Sequence, residues 1–559
     1  MTRTRTSRLL IAPAILAASA LAFTACSADN GGNGSTNGEP APVEGGTLTI
    51  YTTAEDMSFD PATSQSLAIT SLGLNARRLT AWKVSPDATT EVIPDLATDT
   101  GTPSDDGKTW TFTLKDGLTF EDGTPITSEA VKYGLERSFA TELSGGLSYH
   151  KAVLDGAEDY TGPFDGQHLD SIETPDDKTI VFHLNRAYGD FPWVASTPAF
   201  APVPLESGDP ASYAQAPVAS GPYAVESYKA GNEIVMKKNP EWDPETDEAR
   251  AGGPDEIVFK LAQDSSVVAQ SLIADREDSK NSFLATFVPP AQLVQAQNDP
   301  KVGDRLVTSG PGALEYLALN TESEQLSDPK VREAIEYAVD KTAYLTAKGG
   351  EISGDYATTL ITPGIAGREE FSLYGDDPAG DVEKAKELLA EANATDLDLR
   401  LVIRDDQVAA AEAIQQGLAK ADIDVTIQTL DSAAWSAEIP AGDGSGYDMT
   451  LSSWQPDIPA ASANIQPLFA SDQIGNGNYN LARYSNPDVD AAIEEALSIT
   501  DTDEANAAWV EIDKQIMADA PVVPLIYSRN SFLHGSGVAN FVIGEFPAYP
   551  NYLTVTLGE

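Results

Sequence analysis

A strand–helix–strand pattern between residues 397 and 427 constrains this chain more than any other feature. Leu397, Leu399, Leu401 and Ile403 alternate with other residues, the period of a strand. Residues 407–420 then carry Ala411, Ile414 and Leu418 on one helical face, and Ile423, Val425 and Ile427 resume the alternation. Two strands joined through a helix at this spacing run parallel, with a right-handed crossover. The pattern therefore predicts local parallel sheet and an α/β class. At 559 residues the chain is too long for a single core, so two or three domains are expected.

Other elements read locally. Residues 46–51 open the folded part as a strand, Ser58-Phe59-Asp60-Pro61 turns the chain, and a helical run follows through Leu74 to Arg78. Trp110, Phe112 and Leu114 alternate with threonines as a half-buried strand. Asp116-Gly117 predicts a hairpin turn, with Leu118 and Phe120 starting a return strand. Thr127 is placed to cap a helix presenting Val131, Leu135 and Phe139, with Glu129 in its first turn. Ile180, Phe182 and Leu184 repeat the strand alternation. Asp328-Pro329 is a cap followed by proline at the first helical position, with Val331, Ile335 and Val339 facing inward. Trp509, Ile512 and Ile516 mark another amphipathic helix.

Tyr447, Met449 and Leu451 alternate as a further strand, and Trp454-Gln455-Pro456-Asp457 follows, where proline forces the chain off the sheet. An aromatic ring and a carboxylate at the end of a strand are well placed to line a ligand cleft in an α/β protein. The same residues also fit a core tryptophan followed by a turn aspartate.

Residues 1–25 hold three arginines, then an apolar run from Leu9 to Phe23 that is short for a spanning helix and ends in Thr24-Ala25. This is the pattern of a signal peptide. Cys26, the single cysteine of the chain, stands immediately after it and has no partner for an internal disulfide. Its position resembles the lipobox of bacterial lipoproteins, although Phe23 stands where that motif has an aliphatic residue. Residues 26–45 are small, polar and glycine-rich, a tether reaching on the order of 25 Å.

The formal charge of −51 sets the chain against nucleic acid and anionic lipid. Four scattered histidines, His150, His168, His183 and His534, suggest neither a catalytic triad nor a metal site, and no H-E-x-x-H, C-x-x-C or G-x-S-x-G occurs. Gly107-Lys108-Thr109 imitates the end of a phosphate loop but leads into a strand where that motif opens a helix. No cofactor and no metal are expected.

Several blocks together carry a family resemblance. They are GGTLTIYTTAEDMSFDPA from Gly45, DDGKTWTFTLKDGLTFEDGTPITSEAVKYGLERS from Asp105, and SGPYAVESYKAGNEIVMKKNPEW from Ser220. DPKVREAIEYAVDKTAYL, AKELLAEA, YSNPDVDAAIEEA and DKQIMADAPVVPLIY follow in order. The chain resembles the family-5 extracellular solute-binding proteins of bacterial ABC importers, the dipeptide- and oligopeptide-binding group. The resemblance implies two α/β lobes of the periplasmic-binding-protein type, joined by a hinge. By analogy residues 46–80, 195–310 and 522–559 form lobe I, residues 81–194 an inserted subdomain, and residues 311–521 lobe II.

It also implies a monomer that captures a peptide or other small solute outside the cell, hands it to membrane permease subunits, and performs no chemistry. The lipid on Cys26 would hold it to the outer face of the cell membrane. In peptide-binding members a W-x-x-D segment supplies an aspartate to the peptide ammonium, a pattern matched by Trp454 and Asp457. Arg404 resembles the arginine that holds a peptide carboxylate. Gln65 and the Ser220-Gly221 loop stand where family members line the cleft. The family also contains binders of nickel chelates, haem, glutathione, opines and oligosaccharides.

Overall fold

The strand–helix–strand unit of the sequence forms as Asp398–Arg404, Val408–Ala419 and Asp424–Leu430, and its two strands pair in parallel from Asp398↔Asp424 to Arg404↔Leu430. The structure is a computed structural model that describes residues 42–86, 88–104, 107–143, 145–208 and 210–558. The expected signal peptide, Cys26 and the expected tether as far as residue 41 lie outside the described residues.

This unit belongs to a six-stranded mixed sheet. Its order is Gly354–Tyr356, Val522–Ser528, Ala313–Leu319, Met449–Trp454, Asp398–Arg404, Asp424–Leu430. Period-two alternation divides Ala313–Leu319 between two cores. Leu314, Tyr316 and Ala318 join the largest apolar cluster, while Leu317 and Leu319 join a second one. The second cluster packs under the helices Pro329–Ala338, Lys341–Lys348, Val382–Glu391 and Val408–Ala419. Asp328 caps the first of these by accepting from the Lys330 N–H. Trp509, Ile512 and Ile516 are buried along Thr502–Asp519, as their spacing predicts.

A five-stranded sheet holds Ser282–Leu284, Thr47–Tyr51, Glu256–Lys260, Glu233–Lys238 and Tyr223–Lys229 in that order. Thr47–Tyr51 pairs in parallel with both its neighbours. A four-stranded sheet pairs Thr109–Thr113 with Thr179–His183, flanked by Thr102–Pro103 and Ile172–Glu173. Against it lies Ser128–Arg137, capped by Thr127, whose hydroxyl accepts from the Ala130 N–H.

Two expectations of local structure are corrected. Leu118 and Phe120 are buried but start no return strand. After Asp116-Gly117 the chain makes a second tight turn, with the Phe120 N–H donating to the Thr124 carbonyl, and Thr109–Thr113 finds its partner some 70 residues later. The helix expected to run to Arg78 is the short Ser71–Asn75. Beyond it Arg77 and Arg78 are drawn out to a buried carboxylate, Asp95.

Val522–Ser528, assigned above to the first lobe, pairs with Ala313–Leu319 and Gly354–Tyr356 inside the six-stranded sheet. Six of its seven residues are buried, as a strand covered on both faces must be. The chain leaves this sheet after Ser528, and Ser531–Leu533 pairs with Leu306–Thr308.

Asp95 accepts from Arg77 Nε at 2.7 Å, from Arg250 Nη1 at 3.0 Å and Nη2 at 2.9 Å, and from the Arg78 N–H at 3.0 Å. Asp247 meets Arg250 Nη1 at 3.1 Å. All four charged side chains are almost fully withdrawn from water. Burial works to raise the pKa of Asp95, but Arg250 and Arg77 outweigh it and hold the carboxylate below its ordinary range. This network ties together residues 77, 95 and 247–250, the last lying between two strands of the five-stranded sheet.

Candidate ligand site

The strands Asp398–Arg404 and Met449–Trp454 run parallel, with Leu401↔Met449 and Val402↔Thr450 paired, so their C-terminal ends share one edge of the six-stranded sheet. Met449–Trp454 is central and buried on both faces through Ser452. Thr450 satisfies its own hydroxyl on the Val402 carbonyl and accepts from Trp435 Nε1. At Trp454 the chain leaves the sheet, and Gln455, Pro456 and Asp457 enter the wall of a cavity of about 410 Å³.

The opposite wall comes from the five-stranded sheet and its loops. It includes Thr52, Met57, Phe259 and Ala285, the segment around Thr70 and Ser71, and Tyr549 and Tyr552 near the C-terminus. The cavity therefore lies where the two sheets face one another. Its volume is within the ~300–1,000 Å³ usual for small-ligand sites.

Asp457 is half-buried, and its Oδ2 accepts from the Tyr149 hydroxyl at 2.9 Å. Burial raises its pKa, and the single phenol hydrogen bond only partly opposes that. The Tyr149 phenol is in turn pushed well above its ordinary range, by burial first and by Asp457 second. The carboxylate is partly desolvated, and among the described residues the phenol of Tyr149 is the partner seen for it.

The structure places the other sequence-derived residues variously. Trp454 is half-buried, donates from Nε1 to the Ala463 carbonyl at 2.7 Å, and lies against Tyr479 with ring centroids 4.9 Å apart. It fixes the turn from which Gln455–Asp457 project. Arg404 shares the sheet edge, but its guanidinium sits 4.6 Å above the Trp435 ring and 3.8 Å from Asp406, not in the cavity wall.

Gln65 is exposed and donates to the Gly145 carbonyl at 2.7 Å. It stands two residues before Leu67, which does line the cavity. The N–H groups of Ser220 and Gly221 both donate to the Asn75 carbonyl, and Ser220 Oγ accepts from the Arg77 N–H. A Cβ on Gly221 would sit 2.8 Å from the Leu74 carbonyl oxygen, so glycine permits that close approach. Ser220 and Gly221 thus secure the turn behind the Thr70-Ser71 wall and are not part of the wall itself.

Sequence reasoning missed Tyr149, which lies 308 residues before Asp457 in a five-residue helix with no distinguishing pattern. It also missed Tyr549 and Tyr552. For these a signal existed, since aromatic side chains interleaved with Pro547 and Pro550 in a non-repetitive tail are well suited to a rigid pocket wall. Among the described residues no group of three or more His, Cys, Asp or Glu is arranged to hold a metal ion.

Comparison with known proteins gives a consistent answer. Residues 91–476 match the family described as bacterial extracellular solute-binding proteins, family 5. The chain is 29% identical over 544 residues to heme-binding protein A of Haemophilus influenzae, covering 92% of this chain and 93% of that one. It is 27% identical to the glutathione-binding protein GsiB of Salmonella paratyphi A, over 79% of this chain and 82% of the relative. Among solved structures it superposes on clavulanic acid biosynthesis oligopeptide binding protein 2 with a TM-score of 0.84 and 30% identity. That likeness covers 93% of this chain and 97% of the other. The two facing α/β sheets are those of the two-lobe periplasmic-binding-protein fold, and the relatives are binding proteins, not enzymes. This chain belongs to the family-5 bacterial extracellular solute-binding proteins, which serve ABC importers.

Proposed function

We propose that this protein captures peptides, or related small solutes bearing a free ammonium group, in the cavity between its two sheets and passes them to the permease subunits of an ABC importer. The observation that carries the reading is Asp457. Its carboxylate lines the cavity, half-desolvated, and its partner is the neutral phenol of Tyr149. An incoming ammonium supplies the missing counter-charge in a charge-assisted hydrogen bond. Two of the relatives' names, an oligopeptide binding protein and a glutathione-binding protein, support the same ligand chemistry, while a third names heme.

The lobes that close on the ligand are, in this reading, residues 46–80, 195–310 and the chain after Ser528 on one side, carrying 81–194 as an insert. Residues 311–528 form the other. The pairing of Val522–Ser528 within the six-stranded sheet supports moving that boundary. The protein acts as a monomer, held at the outer face of the cell membrane by a lipid on Cys26, with residues 26–45 as its tether.

A binding protein is stabilised by its ligand and leaves it unchanged. At one hundred times Kd, a bound peptide adds about 2.7 kcal/mol to unfolding. Screening a peptide library by thermal shift, followed by mass spectrometry of the hits, should find stabilising compounds recovered intact. Conversion of a hit to product, or stabilisation by no member, would refute the reading. The anchor is tested separately: Cys26→Ser should release the protein into the medium, and retention in the membrane fraction would exclude lipidation at Cys26.

A further inference from the structure

We infer that the cavity selects organic cations whose far end is uncharged, amines and amidated peptides ahead of zwitterions. The inference rests on the reading of Asp457 as the partner of the ligand's ammonium, and it adds what the site does with the rest of the ligand. Among the described residues lining the cavity, Asp457 is the one that carries a formal charge. The remaining polar groups of the wall, on residues such as Thr70, Ser71, Gln455, Tyr549 and Tyr552, are neutral.

Of the nearby cations, Arg78 is buried behind the wall and donates to the Ala68 carbonyl at 3.2 Å without lining the cavity, and three others have partners elsewhere. Arg404 is stacked on Trp435 and faces Asp406. Lys260, next to the lining residue Phe259, donates to Glu233 at 2.7 Å. Lys151, two residues from Tyr149, donates to the Ser138 carbonyl at 2.6 Å and lies 5.4 Å from the Phe139 ring centroid. A ligand carboxylate brought into this cavity loses its hydration, finds no counter-charge in the wall, and meets the like charge of Asp457. A ligand amide, ester or hydroxyl meets neutral hydrogen-bonding groups instead and carries no such penalty. The formal charge of −51 acts in the same direction, concentrating cations near the surface and depleting anions.

The test is calorimetric titration of the full chain with two matched pairs, the peptides Ala-Phe-Ala and Gly-Leu, each as C-terminal amide and as free acid. Each amide should bind at least about tenfold more tightly than its acid, and Arg404→Ala should leave that ratio unchanged. Acids that bind as well as or better than the amides would overturn the inference. So would an Arg404→Ala variant that weakens the acids about tenfold while sparing the amides.

Asp457→Asn separates the two layers. If it weakens the amides while the parent still prefers acids, the selectivity inference alone fails. If it leaves amide affinity untouched, the ammonium reading fails with it. Absence of binding by all four peptides up to about 1 mM would count against both.

Discussion

Asp95 and Asp457 are both carboxylates withdrawn from water, and their surroundings push them in opposite directions. Around Asp95 four donors converge, three of them from the guanidiniums of Arg77 and Arg250, and the carboxylate is held below its ordinary range. Around Asp457 one phenol donates, and burial leaves the pKa raised. The first arrangement is electrostatically complete, so a further ligand has nothing to add. The second has no cation among its described partners, and it faces a cavity. A complete arrangement of this kind suits a group that holds the fold, whereas the function proposed above has a ligand's ammonium fill the deficit beside the cavity.

The comparison can be broken most forcefully at Asp95. Asp95→Asn leaves Arg77 and Arg250 buried with one full counter-charge fewer, and should cost about 3–5 kcal/mol of unfolding free energy. Ligand affinity of the folded fraction should be unchanged. The sign of the pH dependence follows from the lowered pKa. The contribution of Asp95 is complete above the ordinary carboxylate range near ~4 and is lost as pH falls through its folded value, so the parent should lose more stability in acid than the variant. Chemical denaturation at several pH values measures both effects, and a variant as stable as the parent would contradict the structural role.

At Asp457 the expected effects are reversed. Asp457→Asn should leave the melting temperature of the empty protein nearly unchanged and weaken an ammonium ligand by about 2–3 kcal/mol, roughly thirty- to two-hundred-fold. Marked destabilisation of the unliganded variant would restore the alternative in which Asp457 serves the turn after Trp454.

The smallest effect belongs to Tyr149→Phe. The Tyr149 hydrogen bond lowers the pKa of Asp457, so its removal raises it further. Binding needs the ionised carboxylate and is lost as pH falls through that pKa, so the loss should set in at higher pH in the variant. A binding midpoint that stays put or moves down would show that the phenol does not tune the carboxylate.

Much of this architecture was legible in local pattern. The parallel pairing of Asp398–Arg404 with Asp424–Leu430 follows from two alternating runs separated by a helix of suitable length. The Asp328 and Thr127 caps lie where the side-chain chemistry of capping puts them. The failures share a cause. The helix ends at Asn75, and the return strand after Gly117 never forms, because long-range partners outweigh local preference. Asp95 draws out Arg77 and the backbone of Arg78, and Thr179–His183 takes the sheet edge.

The site divides in the same way. The place of Asp457 at the cavity wall was legible because a family pattern and a strand end coincide there. Tyr149 was not, since its role exists only through a contact across 308 residues. Arg404, Ser220 and Gly221 show the converse: position in the sequence brought them near the cleft, while their observed partners are Trp435, Asn75 and Arg77.

The most direct measurement is a calorimetric cycle that pairs the stabilising peptide from the library screen with its N-acetylated form, each titrated into the parent and into Asp457→Asn. If Asp457 holds the ammonium, acetylation should weaken binding to the parent by about the same thirty- to two-hundred-fold as the substitution does, and the two changes together should cost little more than either alone. Equal affinity of the parent for free and acetylated peptide, or losses that simply add, would contradict the account.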